Sequence, residues 1–279
     1  MTPDLTAVVF GLLSAVAWGA GDFSGGLASR RAAVVGVLAV GQAAGVAMVV
    51  GLALATHEPF PPAGALLWAA GAGASGAVGL AALYRGLAVG RMGIVAPVSA
   101  VLSAGIPVLV GAASQGLPPA ARLAGFALGL GGIFVLARSE QTRGDARGFL
   151  LAWVAGCGFG GFLVLQHQAS ASGTFWPLAA ARATSFVLIL ATALLRRGAW
   201  VPQVRALPLI VASGLLDGAG NALFVVAAKV GRLDVAGVLS SMYPASTVLL
   251  AAVVLRERIT ARQLLGIAAV LAAIALIAA

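Results

Sequence analysis

The most constraining feature of the chain is a succession of apolar runs, at 5–28, 33–55, 64–87, 93–113, 120–137, 148–167, 175–195, 206–228, 233–254 and 262–279. Each has about the 20 residues that carry a helix across the hydrocarbon of a bilayer. In lipid every backbone polar group needs an internal partner, which an α-helix provides within itself. Ten such runs with short breaks leave no room for a soluble domain. The sequence therefore predicts an all-α polytopic membrane protein with ten transmembrane helices.

Composition agrees. Of 279 residues, 61% are hydrophobic and 9% charged, against roughly a quarter charged in soluble domains. The net charge of +9 does not point to nucleic acid, because the arginines lie in short loops between apolar runs. Cys157 is the sole cysteine, which excludes an intrachain disulfide and a cysteine metal cluster. The first residues, Met1 to Thr6, carry no basic segment, so the first run reads as a retained helix rather than a signal peptide.

Orientation follows from basic residues in short loops, which favour the cytoplasm. Twelve flank the loops after odd-numbered runs: Arg30, Arg31, Arg91, Arg138, Arg143, Arg147, Arg196, Arg197, Arg205, Arg256, Arg258 and Arg262. Three lie on the other side, Arg122, Lys229 and Arg232. This predicts that both termini, with His57 and His167, lie on the outer side; the preference for arginine over lysine with many Ala and Gly points to a bacterial source, hence an inner membrane and periplasmic termini.

The halves resemble each other. AALYRGLAVGRMGIVAPVSAVLS, from Ala81 to Ser103, and ALFVVAAKVGRLDVAGVLSSMYP, from Ala222 to Pro244, share Ala81/Ala222, Val89/Val230, Gly90/Gly231, Arg91/Arg232 and Ser99/Ser240 in one register, 141 residues apart. The expected organisation is a five-helix repeat at 1–137, a cytoplasmic linker at 138–147 and a second five-helix repeat at 148–279. An odd number of spans per copy inverts one copy relative to the other. Inverted copies around a midplane site are a route to alternating access.

An ionised side chain at membrane depth costs about 3 kcal/mol on insertion scales, so such residues are site candidates. Asp22 shares a helix face with Ser14 and Trp18, offering a carboxylate and an aromatic plate to a cation or amino group. A cap or a pair with a loop arginine is the structural alternative. Asp217 shares a face with Ser213 and Asn221 and reads either as a substrate or proton site or as a buried network. Arg182, two turns into the seventh run, reads as a carboxylate site or as the partner of an aspartate. Arg85 is expected to snorkel, with Tyr84 beside it as a cavity candidate. Pro97, Pro107 and Pro244 remove backbone donors from spans four and nine and are the hinge or kink candidates, with Ser99, Ser103, Ser240, Ser241 and Tyr243 around them. The pairs Gly21/Gly25, Gly125/Gly129, Gly156/Gly160 and Gly214/Gly218 read as helix-packing sites.

Taken together, these residues resemble the drug/metabolite transporter superfamily, and within it the EamA-type proteins with a five-plus-five duplication. The stretch from Ser240 to Gly266 is similar to that family's ending, with Pro244, Glu257, Thr260, Gln263 and Gly266 at the matching places and Arg256 where the family has glycine. The first half matches at Pro97 and Gly125 but has Gln115, Gly116, Leu117 and Pro118 in place of the usual glutamate motif. Arg182 stands where the family's second and seventh helices carry an arginine, with Gln42 as its first-half counterpart, and Trp18 resembles the first-helix tryptophan. The chain looks most like the YddG-type amino-acid exporters.

The resemblance implies a secondary transporter, not an enzyme, that exports amino acids, aromatic ones among them, or related metabolites. The alternatives are efflux of cationic drugs or other toxic compounds and, in another class, a membrane-embedded enzyme or a channel. No P-loop, zinc motif or catalytic pair stands in the sequence. The expected partners are a small-molecule substrate and the lipid bilayer, with a monomer as the functional unit, no cofactor, no metal and no nucleic acid. The candidate cavity residues are Trp18, Asp22, Gln42, Tyr84, Ser99, Ser103, Arg182, Asp217, Asn221, Ser240 and Tyr243.

Overall fold

The computed structural model describes residues 3–90, 92–115, 120–137, 146–195, 200–230, 236, 239–256 and 260–278. Ten α-helices occur among them: α1 (Pro3–Ser29), α2 (Val34–Ala55), α3 (Ala63–Val89), α4 (Met92–Gln115), α5 (Ala120–Ala137), α6 (Ala146–Ala169), α7 (Phe175–Leu195), α8 (Leu207–Val230), α9 (Tyr243–Val254) and α10 (Ala261–Ala278). Among the described residues there is no strand. Six helices, α1, α2, α3, α6, α7 and α8, are long and apolar enough to cross a membrane, and shorter apolar stretches occur at Ile94–Pro107 and Leu264–Ala273. The chain is a multi-pass helical membrane protein.

The breaks have local causes. After α2, Thr56 turns its hydroxyl back to the Leu52 carbonyl at 2.8 Å, His57 takes a left-handed φ of 51°, and Pro59, Pro61 and Pro62 hold the chain extended until α3 begins. Span nine, expected to be helical over 233–254, is interrupted. Leu239 and Ser240 are helical, Ser241 and Met242 form a turn, and α9 starts at Tyr243 with Pro244 in its first turn. Proline lacks an N–H and its ring collides with the carbonyl four residues earlier, here that of Ser240, so it is accommodated at a helix start. Helix α4 instead continues through Pro97 and Pro107. There the Ser99 and Ser103 hydroxyls donate to the carbonyls of Ala96 and Ala100, at 2.9 and 3.0 Å.

Arg256, where the resemblance places a glycine, has φ 53°, the left-handed region that favours glycine. Positions 138–145, most of the expected linker, lie outside the described residues, as do Arg91, Gly231, Arg232 and Glu257.

The principal helix contacts run between the halves. α3 packs on α6, α1 on α8, α4 on α6, α1 on α9, α2 on both α7 and α8, α3 on α7, α4 on α9, and α5 on α10. Exchanging α1–α5 for α6–α10 maps this set onto itself: α3–α6 becomes α8–α1, α4–α6 becomes α9–α1, and α3–α7 becomes α8–α2. The halves are thus interleaved rather than separate domains.

Small residues make these contacts close. Gly79 faces Gly158, and Gly41 faces Gly214, where any side chain would meet backbone atoms of the opposite helix. Serine and threonine hydroxyls then reach glycine carbonyls across the gap: Ser14 to Gly220 at 2.8 Å, Ser213 to Gly21 at 2.9 Å, Ser75 to Gly158 at 2.8 Å, Ser185 to Gly73 at 2.5 Å and Thr247 to Gly19 at 3.2 Å. Without a hydrophobic drive between helices in lipid, such close packing and hydrogen bonding hold the bundle together.

Candidate functional site

A cavity of about 70 Å³ lies between the halves. Its wall takes residues from α1, α2, α3, α4, α6, α7, α8 and the start of α9; among the described residues none comes from α5 or α10, which pack on each other. An engineered apolar cavity of about 150 Å³ accepts benzene, so in this conformation the space suits a solute smaller than that.

Eight of the eleven sequence candidates line it: Trp18, Asp22, Gln42, Ser103, Arg182, Asp217, Asn221 and Tyr243. The other three are buried behind the wall and act as braces. The Tyr84 hydroxyl shares a hydrogen bond with Ser213 at 2.7 Å, tying α3 to α8. Ser99 hydrogen-bonds the Tyr243 hydroxyl at 2.8 Å, fixing that ring from α4. Ser240 is fully buried and approaches the Gly11 carbonyl. Among the prolines, Pro244 starts α9 immediately after Tyr243, whereas Pro97 and Pro107 lie within α4.

The polar core of the cavity is an ion pair. Arg182 Nη1 donates to Asp217 Oδ2 at 2.7 Å, with the arginine side chain 4% exposed and the aspartate 15%. Arg182 lies about 10 Å along α7 from its start, at ~1.5 Å per residue. Its guanidinium lies against Gly45 of α2, a position with no space for a side chain. Its Nε and Nη2 have no hydrogen-bond partner among the described residues, and neither does Gln42 Oε1. Buried polar atoms are ordinarily satisfied, so this group of donors and an acceptor marks a place where a bound molecule or water belongs. Asn221 Nδ2 donates to the Asp217 carbonyl at 2.8 Å, bracing α8 one turn on.

Asp22 is 6% exposed and lines the same cavity. Among the described residues no hydrogen bond or ion pair reaches its carboxylate, neither a cap nor a loop-arginine pair; Arg91, Arg138 and Arg143 lie outside those residues. Trp18, one turn earlier, stands edge-on to Tyr243 with ring centroids 6.4 Å apart and tilts against Phe224 at 5.8 Å. Arg85 is exposed at the end of α3.

The cavity also has walls that the list of polar candidates does not contain, chiefly Gly76, Leu80, Phe159, Phe162, Leu163, Ser185 and Ser241. The repeat spacing carries the missing signal for four of them. Trp18 and Phe159, Asp22 and Leu163, Gly76 and Asp217, and Leu80 and Asn221 are each 141 apart, while Gln42 and Arg182 are 140 apart. All ten line the cavity. Equivalent positions line equivalent walls, but the chemistry differs across them: Asp22 faces the world that Leu163 makes apolar, and Asp217 stands where the other half has glycine.

Comparison with known proteins fits this architecture. One solved structure, described as a crystal structure of a protein, aligns with 97% of this chain and 96% of its own at a TM-score of 0.70 and 20% identity, which shows a shared fold. No curated protein matches the sequence. Residues 146–279, the whole of α6 to α10, match the model of the EamA-like transporter family. The second half of the chain is therefore similar to the EamA-like transporter family, in the drug/metabolite transporter superfamily.

Proposed function

We propose that the protein is a secondary transporter for small amino acids or related metabolites, working by alternating access between two inverted five-helix halves. The observation that carries this reading is one cavity lined both by the unpaired donors of Arg182 and by Asp22, whose carboxylate has no hydrogen bond or ion pair among the described residues. A zwitterion satisfies both. Its carboxylate accepts from Arg182 Nε and Nη2, charge-assisted bonds about twice as strong as neutral ones, and its ammonium goes to Asp22. Trp18, Tyr243 and Phe162 supply an apolar lining for a side chain. An aromatic amino acid requires the cavity to widen.

The self-mapping set of helix contacts supports the inverted-repeat mechanism, because two similar halves can rock to equivalent states around a shared site. The arginine asymmetry supports insertion with both termini outside, and one copy supplies the residues that line the cavity, which favours a functional monomer.

A second reading, efflux of organic cations, draws on Asp22 and the Trp18 plate. Purified protein in liposomes, assayed for counterflow of amino acids, nucleosides and organic cations with and without a pH gradient, separates the two. Movement of zwitterions with dependence on Arg182 supports the first, and movement of cations with Arg182 dispensable supports the second. No flux of any small solute would sink both.

A further inference from the structure

The two halves differ at the gap between α1 and α3 and its counterpart. α1 packs directly on α3, whereas α6 and α8, their counterparts, hardly touch. The side chains explain the difference. In the α1–α3 gap, Tyr84 lies over Gly25, whose missing side chain is the space the ring occupies. At the spacing of 141 residues, Tyr84 corresponds to Val225 and Gly25 to Gln166. The aromatic plug is thus absent between α6 and α8, and a second pocket of about 80 Å³ opens there, lined by Gln166, His167, Ser170, Phe224, Val225 and Lys229 among others.

This pocket is built to take something polar. Gln166 is fully buried, and while its Nε2 donates to Ser170 Oγ at 3.0 Å, its Oε1 has no hydrogen-bond partner among the described residues. Lys229 and His167, both exposed, stand at the rim in the last turns of α8 and α6. The inner wall is Phe224, which contacts Trp18 of the central cavity and clusters with Leu163, another residue of that cavity. Trp18, Leu163 and Phe224 are thus apolar side chains through which the two spaces adjoin.

We propose that the α6–α8 pocket is the access portal to the central cavity in this conformation, that Tyr84 over Gly25 is the corresponding closed portal at the other end, and that the Lys229 rim favours solutes bearing a carboxylate. The proposal rests on the transporter reading. Positive charge at the mouth of a low-dielectric cleft raises the local concentration of anions and their rate of arrival.

The test is thiol modification of purified protein carrying Cys157→Ser and Ser103→Cys, which places a single reporter in the central cavity. The probes are an anionic sulfonatoethyl and a cationic trimethylammonioethyl methanethiosulfonate. Both modify the reporter if the portal is open; no modification overturns the proposal. Val225→Phe, which refills the gap, is expected to suppress modification by both reagents, and an unchanged rate overturns it. Lys229→Gln, a change at an exposed site, is expected to lower the ratio of anionic to cationic rates by about tenfold; an unchanged ratio overturns the selectivity and, with it, the proposal. These rates are read without transport. Failure here with intact counterflow removes the portal alone, whereas normal modification with no solute flux removes the transport reading.

Discussion

Arg182 of α7 and Asp217 of α8 pair at 2.7 Å although their helices make few contacts with each other, so the length of the arginine spans the gap. The pair uses one guanidinium nitrogen and leaves Nε and Nη2 over. Removing one member of a buried pair strands the other charge and costs about 3–5 kcal/mol. Arg182→Gln and Asp217→Asn are each expected to lower thermal stability in detergent, and the double variant to recover a large part of the loss. Full additivity of the two losses would contradict the pairing. Solute counterflow is expected to be absent in Arg182→Gln and in the double variant, because the unpaired donors are gone in both.

Asp22 presents the opposite situation, a buried carboxylate without a partner among the described residues. Asp22→Asn keeps the shape and removes the charge. Stability is expected to change little, since no ion pair is broken; zwitterion counterflow is expected to weaken because the ammonium loses its charged partner, and accumulation driven by a pH gradient is expected to be lost. Retained accumulation in reconstituted liposomes would remove Asp22 from any proton-coupling role.

Much of this architecture was readable from the sequence because lipid imposes a simple rule: apolar runs of sufficient length become helices, and charges inside them stand out. Asp22, Arg182 and Asp217 were visible for that reason. That Arg182 meets an aspartate is one of its two readings; which aspartate is not readable, because it depends on how two helices in weak contact are held by α2 and α3. Tyr84 and Ser99 brace the wall from behind in this conformation, a distinction the sequence does not carry, because a hydroxyl in an apolar run looks the same whether it meets a solute or a neighbouring side chain. The apolar walls, Phe159 and Leu163, carried no chemical signal, only their spacing from Trp18 and Asp22. The three prolines are alike as kink candidates in the sequence, but only Pro244 follows a turn while α4 continues through Pro97 and Pro107, so proline alone does not tell which helix breaks.

Gly214 lies against the Gly41 carbonyl, so a methyl group there meets rigid backbone rather than a movable side chain. Overpacking of this kind costs about 1–3 kcal/mol. Gly214→Ala is expected to lower the melting temperature, while Gly51→Ala, which meets open space within the same bundle, is expected to leave it unchanged or raise it. Equal effects at both would show that helix propensity rather than the α2–α8 contact sets the response.

Arg256 holds φ 53° at the end of α9, where a side chain is strained and glycine is not. The left-handed conformation costs an ordinary residue about 1–2 kcal/mol. Arg256→Gly is expected to relieve it and raise the thermal midpoint, even though glycine gains entropy in the unfolded chain. Arg256→Ala keeps the strain and removes the charge, so it separates backbone from electrostatics: a rise in Arg256→Ala equal to that in Arg256→Gly would assign the effect to the charge.

The Glu58 carboxylate accepts from the backbone N–H groups of Thr174, Phe175 at 2.6 Å and Trp176 at 3.0 Å, while the Trp176 indole donates to the Glu58 carbonyl at 2.9 Å. Phe60 stacks edge-on to the same indole at 5.4 Å. A loop of the first half thereby caps the first turn of a second-half helix, the helix that carries Arg182, and the negative charge sits where the helix dipole favours it. Loss of a side-chain cap costs about 0.5–2 kcal/mol. Glu58→Ala is expected to fall in that range by thermal unfolding, and Glu58→Gln to lose less, because the amide oxygen still accepts. If the contact also holds this face together during the transport cycle, Glu58→Ala speeds counterflow while lowering stability. A slower rate in proportion to the lost folded protein would confine Glu58 to capping.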